Sequence, residues 1–272
     1  MIELTKKQVQ EASLEVLKGF ADICDANGFR YCLTWGTLIG AIRHKGFIPW
    51  DDDIDVLMPR PDYEQFRTFF YEHANELYPL RLFTSETENY SYLLPRISND
   101  DYPLDVDNER PCGMGVFVDI FVLDGTGDTP EEARRYISRL CKFPRLIYLA
   151  TRQHFEIGMT RGFFLKMIKF PVYCYAKWMG KGYFAKKQIR LIDTDSYSKK
   201  KYVGCALLCE RPRFGIIKKE YIEDLIDVPF EQYHFKIPRA YDKLLKLWYG
   251  NYMEIPSEKD RFPHHIYKAY KK

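Results

Sequence analysis

Four aspartates crowd one short stretch of the chain: Asp51, Asp52, Asp53 and Asp55 stand directly before the apolar run VLMP. Carboxylates this close repel one another, and aspartate is depleted from strands, so folding alone gains nothing from them. A divalent cation would offset the repulsion, because Mg²⁺ and Mn²⁺ prefer oxygen ligands. The spacing therefore predicts a metal site of the kind that assists transfer of phosphorus-centred groups.

The position of the cluster predicts where its carboxylates point. We expect residues 53–58 to form a strand, in which side chains alternate between two faces. Asp53 and Asp55 would then share one face, and Asp52 would point away from Asp53. Asp51 and Asp53 have the same spacing, so which pair bridges the metal ions stays open, and Asp51 is a possible further ligand.

A third carboxylate is expected from a neighbouring strand, where Asp119 is the lone acid in VFVDIFV. Two metal ions about 3.5–4 Å apart neutralise oxygens on both sides of a transferring group, so their carboxylate ligands must converge. We therefore predict Asp53, Asp55 and Asp119 as catalytic residues, with Mg²⁺ or Mn²⁺ as the cofactor. The alternative for Asp119 is an acid turned outward, but VFVDIFVLD lacks the strict alternation of an amphipathic strand.

The elements that must hold these residues are predicted from periodicity and caps. Thr5 and Gln8 form a capping box for a first helix, which Gly28 ends. Further segments predict an α+β fold: strands at RYCLTWG, YLLPRI and GVFVDIFVLD, helices at TLIGAIR and PRPDYEQFRTFFYEHANEL, and an acidic loop at NDDYPLDVDNERP.

The composition changes from acidic to basic near Pro130. Residues 131–190 carry fourteen Lys or Arg against three Glu, and we expect residues 131–195 to be wholly helical. Strands are expected to return at YVGCALL and VPFEQYHFKIP, before a last helix at RAYDKLLKLWYG. We divide the chain into a catalytic core at 1–128, a basic aromatic-rich helical region at 129–200, and a C-terminal part at 201–272 that completes the domain.

The basic region predicts an anionic partner. Between residues 143 and 183 aromatic side chains are interleaved with Lys and Arg, which suits a helix at a membrane surface or over an anionic, lipid-linked acceptor. A helical subdomain with an aromatic core and a solvated basic face explains the pattern equally well. Nucleic acid is not an expected partner, because no RNP, zinc-finger or helix-turn-helix signature accompanies the charge.

Length and residue usage set the broader class. The chain has 272 residues, of which 46% are apolar, and this is enough for a substantial core. The start of the sequence has no apolar signal segment and no run of eighteen apolar residues occurs, so we expect a cytoplasmic protein, with any membrane contact at the inner face of the membrane. Seven cysteines without a CxxC pair predict buried free thiols in a reducing compartment.

A family resemblance becomes specific at residues 33–66, LTWGTLIGAIRHKGFIPWDDDIDVLMPRPDYEQF. The stretch resembles the signature of the LicD family, the phosphocholine-transferase-like group related to fukutin and part of the nucleotidyltransferase superfamily. GVFVDIFVLD resembles the family's third-carboxylate strand, and FEQYHFKIPRAYDKLLKLWYGNYMEIP resembles its C-terminal pattern. Residues 131–200 match least, so acceptor choice does not carry over.

The resemblance implies a fold, an activity and a set of roles. The fold would be a nucleotidyltransferase-like mixed sheet flanked by helices, with a mainly helical basic insertion. The activity would be metal-dependent transfer of phosphocholine, or of a sugar or polyol phosphate, from a CDP-linked donor to a lipid-linked or surface glycan hydroxyl, with release of CMP. Asp53 and Asp55 would hold the metals, Asp119 would complete the site and take the hydroxyl proton, and Gly36 and Thr37 would approach the pyrophosphate.

Other residues near the cluster have either a ligand-binding or a purely structural interpretation. Arg43, His44 and Lys45 follow the predicted short helix and would bind donor phosphate, or would form a solvated loop. Trp35 and Trp50 flank the cluster and would suit a quaternary ammonium by cation–π attraction, although such tryptophans are more often core.

Two other function classes stay open. One is a nucleotidyltransferase that uses a nucleoside triphosphate and releases pyrophosphate rather than CMP. The other is a non-catalytic glycan- or membrane-binding module, against which the presence of all three predicted carboxylates argues.

Overall fold

The computed structural model describes residues 1–155, 163–208, 215–261 and 267–272. Within them the helices are α1 (Lys6–Asn27), α2 (Trp35–Ile39), α3 (Arg60–Glu72), α4 (Pro130–Leu140), α5 (Lys142–Thr151), α6 (Phe163–Met179), α7 (Lys181–Ile189), α8 (Ser196–Lys199) and α9 (Tyr241–Tyr249). The strands are β1 (Ile2–Glu3), β2 (Cys32–Leu33), β3 (Asp55–Pro59), β4 (Leu80–Phe83), β5 (Arg96–Val106), β6 (Gly115–Gly127), β7 (Tyr202–Cys205), β8 (Ile216–Lys218), β9 (Leu225–Phe230), β10 (Tyr233–Pro238) and β11 (Tyr267–Lys271).

A mixed sheet forms the centre of the molecule, in the order β1-β11-β5-β6-β3-β2. β3 and β6 run parallel, whereas β5 and β7 pair antiparallel with β6. β4 pairs with β5, β8 pairs with β7, and β9 and β10 form a separate hairpin. β6 is buried along nearly its whole length, because strands border it and helices α1 and α4 contact it. The predicted α+β fold with a mixed sheet is confirmed.

The first helix forms where its caps predict. The Thr5 hydroxyl accepts from the Gln8 backbone N–H, and the Gln8 side chain accepts from the Thr5 N–H. Gly28, at φ 71°, adopts the left-handed conformation that ends a helix with little strain when the residue is glycine. The helix buries Val16, Leu17 and other apolar residues in the main core.

Two segments differ from the sequence prediction. The strand expected at 53–58 begins at Asp55, because a turn at 48–51, in which the Asp51 N–H donates to the Ile48 carbonyl, is followed by irregular residues; we call residues 48–53 the acidic turn. The loop expected at NDDYPLDVDNERP is largely strand, since β5 continues to Val106. β11 comes from the end of the chain and pairs with residues 104–106, so the partner that makes this acidic segment a strand is remote in sequence.

The region from α4 to α8 is mainly helical, but residues 152–155 and 190–195 lie between helices, so the prediction of a wholly helical stretch at 131–195 is wrong there. Thr129 caps α4 by accepting from the Glu132 N–H, and α5, α6 and α7 pack on one another. The prediction of a wholly helical stretch also covers residues 156–162, which lie outside the described residues. Among the described helices, none combines the length and apolarity that crossing a membrane requires.

The cysteines in the described residues are free thiols. Cys24, Cys32 and Cys205 are buried as predicted, whereas Cys174 is exposed on α6. Cys209 lies outside the described residues.

Candidate active site

Hydrogen bonds between elements place Asp55 at the base of the site. The Asp55 N–H donates to the Thr37 hydroxyl over 2.9 Å, and the Asp55 carbonyl accepts from the Thr34 N–H over 3.1 Å. These bonds fix the first residue of β3 against the start of α2. Asp55 and Asp119 are register partners on parallel β3 and β6, so their side chains leave the sheet on the same face, from strands that lie about 4.8 Å apart.

The turn before β3 gathers the other three carboxylates. Oxygen atoms of Asp51, Asp52 and Asp53 lie within 4.8 Å of one another. The prediction that Asp52 points away from Asp53 is therefore wrong, because strand alternation does not apply to residues in a turn. The turn is held by Gln10 of α1, whose Nε2 donates to the Asp51 carbonyl over 2.7 Å.

A cleft of about 370 Å³ opens over these carboxylates. Asp51, Asp53 and Asp55 line it, together with Trp35, Gly36, Ile39, Arg43, Ile48, Trp50, Tyr249, Asn251, Tyr252, Glu254 and Pro256. Its walls are thus the start of α2, the acidic turn and the segment after α9. A second cavity, of about 540 Å³, lies between residues of β5 and β11 and includes none of the predicted site residues.

Trp35 stands at the edge of the cleft in a strained conformation. Its φ of 46° lies in the left-handed region, which a bulky side chain rarely adopts. The Trp35 ring packs on Trp248 of α9 with 4.2 Å between centroids, and this packing holds the conformation. Backbone strain of this kind concentrates at functional sites.

Gly36 and Thr37 have different neighbours. A Cβ on Gly36 would lie 2.6 Å from Asp51 Oδ2, so only glycine allows α2 to approach the acidic turn this closely. Thr37 is buried, and its hydroxyl accepts the hydrogen bond from Asp55. Gly36 therefore lines the cleft, while Thr37 positions a carboxylate from behind it.

The basic residues after α2 contact the protein itself. Arg43 lines the cleft, and its Nη1 donates to the Tyr252 and Glu254 carbonyls over 2.8 and 3.0 Å. Burial, and secondly the charge of Arg43, lower the pKa of His44, so this imidazole is neutral at pH 7. Lys45 does not belong to the described lining of the cleft, and its carbonyl accepts from the Glu231 N–H.

Asp119 is paired with an arginine that sequence reasoning missed. Arg96 of β5 donates from Nε to Asp119 Oδ1 over 2.6 Å, and both side chains are buried. The Arg96 guanidinium also lies 4.0 Å from the Phe117 ring centroid and 4.4 Å from that of Tyr92. The sequence contains one signal for this pair. YLLPRIS has a single arginine, which a buried strand cannot expose to solvent.

Burial and mutual repulsion raise the proton affinity of the site. The pKa of Asp51 is raised to about 8, first by burial and then by the charge of Asp53. The pKa of Asp55 is raised well above its usual range by burial, then by Asp53 and Asp119. Burial and the nearby Asp55 also raise the pKa of the Tyr249 phenol, which the sequence did not point to.

The donor set fits a divalent cation. The Oδ1 atom of Asp51 is buried and accepts no hydrogen bond from any described residue. Carboxylate oxygens are the ligands that Mg²⁺ and Mn²⁺ prefer, and the neighbouring acids supply several within reach. A cation here would supply the positive charge that these raised pKa values show to be lacking.

Comparison with known proteins places the site in a family. Residues 28–134, which include all of the predicted carboxylates, match the family model described as LicD/FKTN/FKRP, nucleotidyltransferase domain. The chain is 30% identical to the lipopolysaccharide cholinephosphotransferase LicD of Haemophilus influenzae over 293 residues, covering 99% of both chains. An uncharacterized protein of Rickettsia prowazekii is 30% identical over 104 residues, covering 33% of this chain and 39% of the relative. Because the similarity to the Haemophilus protein runs the full length of both chains, this chain belongs to the LicD family.

Proposed function

We propose that the protein transfers phosphocholine, or a related phosphorylated substituent, from a CDP-linked donor to a hydroxyl group of a cell-surface glycan, and that it requires Mg²⁺ or Mn²⁺. The observation that carries the proposal is the buried, hydrogen-bond-free Asp51 oxygen within a group of carboxylates that line a cleft. The name of the Haemophilus relative supports phosphocholine as the transferred group and lipopolysaccharide as the acceptor.

Asp51, Asp53 and Asp55 are the residues proposed to hold the metal, with Asp119 beside them. A bound divalent cation would neutralise charge on the phosphate oxygens as the transfer proceeds. The residues that line the cleft supply the other contributions to the proposed reaction. Gly36 leaves room for the donor to approach the acidic turn, and Trp35, Trp50 and Tyr249 supply aromatic walls beside the carboxylates.

The proposed reaction is a substitution at phosphorus. The acceptor hydroxyl oxygen forms a bond to the phosphorus distal to cytidine, and the bond from that phosphorus to the bridging oxygen breaks, so CMP leaves with the bond's electron pair. The hydroxyl proton passes to a carboxylate. Asp119 is the proposed acceptor of this proton, because Asp55 is proposed to hold the metal, and the ion pair with Arg96 fixes the position of the Asp119 carboxylate.

Binding of the donor phosphate by Arg43, His44 and Lys45 stays a prediction. The contacts of these three residues indicate which of them could touch the donor. Arg43 is the member of this group that lines the cleft, so we assign any direct phosphate contact to it. His44 is neutral and contributes no charge at pH 7. The cytoplasmic location expected from the sequence stays a prediction.

The test is to incubate the protein with CDP-choline, a lipopolysaccharide acceptor and Mg²⁺, and to measure CMP. CMP release that depends on both the acceptor and the metal is expected. Release of pyrophosphate from CTP, with no CMP from CDP-choline, would favour the nucleotidyltransferase alternative. Acceptor binding without either product would favour a non-catalytic binding module.

A panel of other CDP-linked donors, among them CDP-ribitol and CDP-glycerol, then identifies the transferred group. Asp22→Asn is a matched control for the site variants, because Asp22 is an exposed acid on α1 whose ion pair with Lys18 lies within that helix.

A further inference from the structure

Helix α6 presents an apolar face to solvent. Met167, Phe170, Cys174, Tyr175 and Trp178 are all exposed, and their spacing of three or four residues puts them on one side of the helix. Trp178 is 82% exposed and Met167 is 58% exposed. Fully exposed tryptophan is uncommon in a globular protein, and a continuous apolar stripe marks an interaction surface.

The opposite side of α6 attaches the helix to the protein. Ala176 is fully buried, and the Tyr173 hydroxyl donates to the Gln153 carbonyl. Helices α5 and α7 pack against this inner side. The outward stripe is therefore an additional apolar face, separate from the one through which α6 joins the fold.

The surroundings of α6 are strongly basic. Residues 131–190 carry fourteen Lys or Arg against three Glu. The pKa of Lys177 is lowered by burial and then by the charges of Arg110 and Arg152, so positive charges crowd at the edge of the helix. On α7, Lys186, Lys187 and Arg190 add exposed cations.

We propose that the outer face of α6 binds the surface of a lipid bilayer that contains anionic lipids. An apolar stripe bordered by Lys and Arg is the arrangement by which helices lie in the plane of a membrane surface, with apolar side chains among the acyl chains and cations at the headgroups. A second copy of the chain is a poorer occupant, because two regions with the same large positive charge would repel each other.

The surface proposal does not depend on the activity proposed above. If that activity holds, membrane binding would bring the cleft to an acceptor that carries a lipid anchor. Residues 156–162, which precede α6 in the sequence, lie outside the described residues.

The experiment measures sedimentation of the full chain with vesicles of phosphatidylethanolamine and phosphatidylglycerol at low salt, without donor or acceptor. Wild-type protein is expected to bind these vesicles and to bind phosphatidylcholine vesicles much more weakly. Trp178→Ser combined with Met167→Ser should weaken binding by about tenfold or more, since burial of one large apolar side chain is worth roughly that factor. Both side chains are exposed, so the fold should be unaffected.

Ile2→Ser is the matched control, because it removes an apolar side chain that is 78% exposed on β1 and should leave binding unchanged. CMP release with a delipidated, water-soluble acceptor should be equal in wild type and in the α6 variant, which separates this proposal from the proposed activity. Wild-type protein that stays in the supernatant with anionic vesicles would overturn the proposal. So would equal binding by the α6 variant, or a dimer in sedimentation velocity that this variant abolishes.

Discussion

At the scale of single residues, the site is a set of acids whose ionisation opposes folding in the metal-free protein. Asp51 and Asp55 are buried, and both have raised pKa values. Each ionised carboxylate there is desolvated and close to another, which costs free energy in the metal-free protein. The predictions for individual residues follow from this balance.

Asp53→Asn and Asp55→Asn should each lower transfer by several orders of magnitude, because each removes a charge proposed to hold the metal at the reacting phosphate. Thermal stability in EDTA should be equal to wild type or higher, since asparagine keeps the shape and removes the repulsion. CMP release and melting temperature are the two measurements, with Asp22→Asn as control. Variants that unfold, or that turn over donor normally with Mg²⁺, would show the cluster to be structural.

Asp119→Asn should also abolish transfer, but its effect on stability should have the opposite sign. The substitution leaves the buried Arg96 without its anionic partner. Loss of one member of a buried ion pair destabilises by about 3 kcal/mol or more. Urea denaturation of Asp119→Asn, Arg96→Gln and the double variant measures the coupling, and additive effects would contradict a direct ion pair.

Asp51 predicts a pH dependence. Its pKa is about 8 in the folded protein against 3.8 for a free side chain. Between those values the folded state holds a proton that the unfolded chain has lost, so this group lowers the free energy of unfolding as the pH rises from about 4 to 8. Melting temperature in EDTA should fall over this range, and the fall should be smaller in Asp51→Asn. An identical pH profile in the variant would contradict the assignment.

At the scale of secondary-structure elements, the close approach of α2 to the acidic turn forms one side of the cleft over the carboxylates. Gly36 contacts Asp51, and Thr37 holds the start of β3. Arg43 lies in the π-helix Gly40–His44 that follows α2, and its hydrogen bonds hold the segment after α9 that forms the far wall of the cleft. Each wall of the cleft thus depends on a contact between elements.

Gly36→Val should weaken binding of Mn²⁺ and of the CDP-linked donor by about tenfold or more, because even a Cβ there would press on the Asp51 carboxylate. Calorimetry with Mn²⁺ alone, then with CDP-choline, measures both. Gly182→Ala on α7 is the control, since its Cβ would meet no atom within 4 Å. Unchanged affinities in a folded Gly36→Val protein would rule out this placement.

At the scale of the whole molecule, the two ends of the chain complete the sheet that carries the site. β1 pairs with β11, and β11 pairs with the far half of β5. The Tyr267 hydroxyl of β11 lies 3.4 Å from the Asp52 carbonyl, so the last strand reaches the acidic turn. A change in β11 should therefore affect both stability and the site.

Ala269→Asp should destabilise the protein by about 3 kcal/mol, because Ala269 is 2% exposed and packs in a small core with Val9, Ala12 and Val116. Lys271→Asp, two residues on and exposed, should change stability by less than about 0.5 kcal/mol. Denaturant titration compares the two. Equal stability for both variants would show that β11 is not part of the cooperative fold.

Local signals in the sequence were sufficient for much of the fold. The capping box of α1 and the apolar pattern of β6 depend on neighbours within a few residues, so both were predicted and are present. The family was also predicted from local motifs, and the similarity to the Haemophilus protein confirms it. The crowding of four acids predicted a site from composition alone.

Tertiary structure decided what depends on distant partners. β5 is a strand over acidic residues because β11 pairs with it across more than a hundred and fifty positions, and no local pattern indicates that pairing. Asp52 joins Asp51 and Asp53 because the acidic residues lie in a turn held by α1. Asp119 has a buried arginine partner because β5 and β6 are neighbours. The amino-acid sequence determines which residues carry charge. The free energy of burying those charges depends on the chain segments that surround them, and only the tertiary structure brings these segments together.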